Sequence, residues 1–108
     1  MNFDEIAHEL HATSVSKGFY DPLDMTDFVS QAKQIAMIHS EATEVLEALR
    51  KSHGSRAVAD ELSDILIRTL DLYAALHEAG VVEESLDAVF HEKANVNKSR
   101  PAMHGVLG

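Results

Sequence analysis

The sequence predicts an all-α protein, a bundle of four helices. Three observations carry that reading. Apolar residues recur at helical spacing along most of the 108 residues. Runs of Val, Ile and aromatics with a period of two are absent. The helix breakers fall between the periodic segments: Gly18, "SHGS" at 52–55, Gly80 and Pro101. Short connections then make sequential helices antiparallel neighbours.

The first helix is expected from about Asp4 to Lys17, with Ile6 and Leu10 inward and Gly18 as its stop. A loop, "GFYDPLDM", follows. The second helix runs from about Thr26 or Asp27 to Lys51, with Asp24 or Thr26 as its cap. The third runs from about Arg56 to Ala79 and ends at Gly80. The fourth runs from about Glu83 to Asn97, and Pro101 prevents its continuation. The tail "MHGVLG" reads as a loop.

The length suits one domain, residues 1–108, with a modest core that oligomerisation would enlarge. Lys and Arg number 9 against 18 Asp and Glu, a formal net charge of −9. That balance argues against gripping a nucleic-acid polymer, which needs a basic stripe. There is no cysteine, so disulfides, thiolate zinc and thiol nucleophiles are excluded. No apolar run approaches a membrane span, and "MNFDEIAHEL" lacks a signal-peptide pattern, so a cytoplasmic location is expected.

Two helices share an anomaly. At roughly 100° per residue, Ile35, Ile38, Ala42, Val45, Leu46 and Leu49 form one stripe on the second helix. Glu41 and Glu44 flank that stripe, whereas Glu47 points to solvent and can pair with Lys51. On the third helix the stripe is Val58, Leu62, Ile65, Leu66, Leu72, Tyr73 and Leu76. Glu61 and Asp64 flank it at the same rotational position, and Arg68 and Asp71 continue that flank. Antiparallel packing through the stripes would converge four carboxylates at one edge. Such a group loses hydration and repels itself unless cations share it. Hard oxygen ligands favour Mg²⁺ or Mn²⁺. The competing reading is a solvated acidic face with local pairs such as Asp64 with Arg68.

Ile67 and Leu70 lie on the opposite face of the third helix and suggest burial against another subunit; isolated exposed aliphatics are the other reading. On the fourth helix Lys93 and Asn97 continue the apolar series Leu86, Val89, Phe90, and Arg100 follows. Two cations and an amide near a carboxylate–metal cluster suit a polyphosphate, although a frayed, solvated helix end fits equally.

Together these residues resemble the MazG-like, all-α nucleoside triphosphate pyrophosphohydrolase superfamily. Its ordered signature reads here as "EATE" at 41–44, "ELSD" at 61–64, "KANVN" at 93–97 and "SRPAMHG" at 99–105, with "KGFYD" at 17–21 similar to small single-domain members. The likeness spans nearly the whole chain. It implies a four-helix bundle assembling as a homodimer or dimer of dimers, and Mg²⁺-dependent hydrolysis of a (deoxy)nucleoside triphosphate to the monophosphate and pyrophosphate. It places metal ligation on Glu41, Glu44, Glu61 and Asp64; a carboxylate at the edge of that cluster, Glu44 or Glu41, is the candidate general base because an outer ligand can contact both metal and water. Phosphate contacts fall on Lys93, Asn97 and Arg100. Base or sugar contacts fall on His11 and Tyr20, with Phe19 as a neighbour and Asp71 reaching the sugar or Lys93. Arg68 would support Asp64. The tail lacks the lysines usual after "HG", and Tyr20 replaces a frequent Trp.

Two rivals remain at this stage. A di-iron carboxylate bundle needs E-x-x-H from two helices, and only Glu5 to His8 supplies it. A non-enzymatic helical interaction module would leave the acids solvated and use Ile67 and Leu70 as its partner surface.

Overall fold

A computed structural model describes residues 1–101. The chain is all-helical: α1 (Phe3–Ser16), α2 (Phe28–Arg50), α3 (Ser55–Glu78) and α4 (Leu86–Ser99), with no strand among the described residues. The expected loop at 103–108 lies outside them. No helix is long and apolar enough to cross a membrane.

Local chemistry explains the boundaries. A reciprocal capping box opens α1: Asn2 accepts from the Glu5 amide, and the Glu5 side chain accepts from the Asn2 amide. The cap of α2 differs from expectation. Asp27 is the capping residue, without a side-chain cap bond. Asp24 instead accepts from the Thr26 amide and hydroxyl at 3.0 and 2.6 Å, closing a turn ahead of the helix. α3 ends in a Schellman motif. Gly80 takes φ +78°, the Val81 amide donates to the Leu76 carbonyl, and the Gly80 amide donates to that of His77.

α4 begins at Leu86, three residues later than the periodicity suggests, because its start is fixed from a distance. Ser85 caps it by accepting from the Ala88 amide. Asp4 of α1 accepts from the Ser85 hydroxyl, the Leu86 amide and the Asp87 amide. In return Asp87 accepts from the Phe3 amide at 3.1 Å. Two helix N-termini therefore cap each other, each supplying a carboxylate to the other's unpaired amides. Phe3 and Phe90 close the joint, with ring centroids 4.5 Å apart.

α2 and α3 form a hairpin whose pairing runs in opposite directions. Ala48 and Leu49 lie beside Val58 near the turn, and Glu41 meets Arg68 further along. α1 packs on α3, and α4 packs on α1. The core gathers around Met25, Leu72 and Ala75, with Tyr20, Leu23, Ile38 and Leu76 against it. The loop after α1 is thus part of the interior. Ala7, Ala48 and Ala75 are the most buried apolar residues. Small side chains at these points let helix axes approach closely.

The expected stripes are only partly interior. Leu46, Leu49, Leu62 and Leu66 are each more than half exposed. Among the described residues no further helix covers this end of the hairpin, because α4 docks on α1. Leu70, expected to face a second subunit, is buried within the chain itself. α3 is flanked by both α1 and α2, so its second apolar face is covered locally.

Candidate functional site

The repeated acids meet as their helical positions require. Carboxylate oxygens of Glu41, Glu61 and Asp64 all lie within 4.8 Å of one another across the α2–α3 hairpin. Antiparallel pairing sets E-x-x-E against E-x-x-D, so the flanking acids of both helices share one edge. Glu44 is exposed and stands outside that trio, yet near enough to act on Glu61. Lost hydration, then the charges of Asp64, Glu44 and Glu41, push the Glu61 carboxyl above its usual range. A set of hard oxygen donors carrying mutual repulsion fits a small divalent cation such as Mg²⁺.

Arg68 does not hold Asp64. Its Nε donates to Oε1 of Glu41 at 2.9 Å, across the two helices. The cross-hairpin partner Glu41 is the more buried carboxylate, its side chain 15% exposed, so the ion pair is less screened there than it would be at the exposed Asp64. Glu47 is the surface acid that its angle implies, bridged to Lys51 at 3.2 Å and to Arg50 at 2.8 Å.

Beside the acidic edge lies a cavity of about 220 Å³. Glu41, Asp64 and Arg68 line its charged side. Phe19, Tyr20 and Ile67 form apolar walls, and Ser14, Gln34 and Asp71 supply polar groups. Ile67 therefore belongs to this cavity.

His11 is buried. Its Nδ1 lies 2.8 Å from Oδ1 of Asp71, and Nε2 lies 3.6 Å from Glu78. The Ser14 hydroxyl donates to the other Asp71 oxygen at 2.6 Å. Tyr20 stands edge-on to the His11 ring, centroids 4.7 Å apart. Burial first, and then the Asp71 charge, hold the Tyr20 phenol well above its ordinary value, so it stays protonated. Asp71 is thus occupied by α1 rather than by Lys93. Phe19, by contrast, is largely exposed at the cavity wall.

Lys93, Asn97 and Arg100 are exposed, as is the whole C-terminal half of α4. No side-chain bond among the described residues ties them to the acidic edge. Among the described residues Lys93 and Asn97 do not face inward, because α4 packs through its first turns on the start of α1. The E-x-x-H of α1 is likewise apart from the acids: Glu5 is spent on the capping box, and His8 lines a different cavity with Asp4 and His77.

Searches against protein-family models, curated proteins and solved structures return no match. The site therefore rests on its own geometry. Two of its residues escaped the sequence reading, Ser14 and Gln34. Gln34 had a usable signal: it lies seven residues before Glu41, hence on the same side of α2. Ser14 lies three residues after His11 and shares its face in the same way.

Proposed function

We propose that this chain is a MazG-like nucleoside triphosphate pyrophosphohydrolase, cleaving a (deoxy)nucleoside triphosphate to its monophosphate and pyrophosphate with Mg²⁺. The observation that carries the reading is the convergence of Glu41, Glu61 and Asp64 beside a cavity with aromatic walls. An acidic edge next to an apolar recess offers one place for a cation-bearing triphosphate and another for a base.

Glu41, Glu61 and Asp64, with Glu44 at the rim, would hold the cation, which would supply charge screening for the triphosphate and Lewis acidity towards water. Water attacks phosphorus at the α–β bridge, and the bridging P–O bond breaks. Glu44 accepts the water's proton; as the exposed member it can face both the edge and solvent. Arg68 fixes Glu41, leaving the other Glu41 oxygen for the cation. Pyrophosphate leaves with its charge met by Lys93 and Arg100, and Asn97 orients one oxygen.

The exposed leucines Leu46, Leu49, Leu62 and Leu66 support assembly as a homodimer or dimer of dimers, a second copy covering the hairpin end. The phosphate roles of Lys93, Asn97 and Arg100 call for a neighbour's α4 to reach the acidic edge in that assembly.

The test is Mg²⁺-dependent release of pyrophosphate from a panel of ribo- and deoxynucleoside triphosphates. Glu41→Gln and Asp64→Asn should each reduce it at least about 100-fold, the scale of losing a positioned metal ligand. Undiminished turnover in both variants overturns the reading. Absence of any nucleotide binding would favour the helical interaction module, with the leucine face as its partner surface.

A further inference from the structure

We infer that Gln34 is the residue that reads the base edge of the nucleotide; this rests on the hydrolase reading above. The cavity has the acidic edge on one side, and Gln34 lines it as well. Along α2, Gln34 and Glu41 share a side and lie about 10 Å apart along the axis. A nucleoside bound with its phosphates at Glu41 therefore extends towards Gln34, between the walls of Phe19, Tyr20 and Ile67.

Other polar groups on the wall already have partners. Asp71 accepts from Ser14 at 2.6 Å and lies 2.8 Å from the Nδ1 of His11. The Ser14 proton is spent on that bond. The Tyr20 hydroxyl is held protonated against Asp71. Arg68 Nε is committed to Glu41. The Gln34 amide makes no side-chain hydrogen bond among the described residues, and it is half-buried on the cavity wall. An amide presents a donor and an acceptor side by side, matching the adjacent donor and acceptor on a base edge. The His11–Asp71–Ser14 network is then a brace for Tyr20 and the wall, and Gln34 is the recognition group.

The experiment compares the best natural triphosphate with an analogue whose base keeps its shape but lacks hydrogen-bonding groups, on the wild type, Gln34→Leu and Gln34→Met. The wild type should favour the natural nucleotide in KM by about tenfold or more, the worth of one bidentate base contact. Both variants should lose most of that preference with kcat nearly unchanged, while Mg²⁺ binding and the circular-dichroism spectrum stay as in the wild type. A preference retained in folded variants overturns the inference and leaves the hydrolase reading standing. A wild type inactive on every triphosphate overturns both.

Discussion

Arg68 on α3 donates its Nε to Glu41 on α2 at 2.9 Å, so a cation of the protein already sits on a carboxylate of the acidic edge. The guanidinium orients Glu41 and also competes for it. Arg68→Gln should therefore bind Mg²⁺ at least as tightly as the wild type, yet turn over about 10- to 100-fold more slowly for want of a positioned ligand. Titration calorimetry and pyrophosphate release separate the two effects. Weaker Mg²⁺ binding with normal turnover would show that the pair has the opposite role.

The repulsion around Glu61 gives a pH signature. Its carboxyl is raised above an ordinary value of 4.5 in the fold, so the folded state binds the extra proton. Stability of the metal-free protein should then fall as pH rises from the ordinary value through the raised one, and level off above it. Glu61→Gln should melt higher than the wild type at neutral pH in the presence of a chelator, and the gap should close below about pH 4. Excess Mg²⁺ should remove the variant's advantage. Melting curves across pH, with and without the ion, check both statements.

Asp4 behaves in the other direction. Burial pushes its carboxyl up, but bonds from Ser85, Asp87 and Leu86 outweigh it and hold it below the ordinary 3.8. Its contribution is present above that value and lost as pH falls through the depressed one. Asp4→Ala should cost about 1 kcal/mol, the loss of a helix cap. Hydrogen exchange should show the first turn of α4 losing protection while α2 and α3 keep theirs.

His11→Ala takes one donor from Asp71, whose side chain is 14% exposed, and leaves it the hydroxyls of Ser14 and Tyr20. An under-satisfied buried carboxylate predicts a loss of about 1–3 kcal/mol in urea denaturation. His11→Asn should recover part of it if its amide reaches Asp71.

Leu62→Lys puts a charge into the uncovered end of the hairpin. Sedimentation should shift it towards the single chain, with little change in helix content, because Leu62 is 53% exposed there. An unchanged assembly would place the contact between copies elsewhere.

The helices were legible because each needs only its own periodicity and a breaker. What could not be read was contact between distant segments. The start of α4 moved to Leu86 because Asp4, 81 residues from Ser85, supplies its cap. Arg68 looked like a partner for Asp64 because sequence shows spacing along one helix and hides the neighbour across the hairpin. The acidic edge was legible for the converse reason: both its halves sit at a repeated angle on adjacent helices. His11 gave no sign of its burial, since that depends on how α1 settles over α3. Leu62 and Leu66 read as core because an apolar stripe is the same pattern whether its cover comes from one chain or two.

The reciprocal capping of α1 and α4 has a consequence for how such a protein can change. Within one chain α4 has no fully buried residue and is joined to α1 through backbone amides, two carboxylates, the Ser85 hydroxyl and the rings of Phe3, Phe90 and His91. The surface that would meet a charged ligand is carried on a limb whose attachment does not depend on its outer side chains. Lys93, Asn97 and Arg100 can be exchanged without repacking the interior. On the proposed function, phosphate contact and foldedness are carried on separate parts of the chain, so the first can drift without disturbing the second.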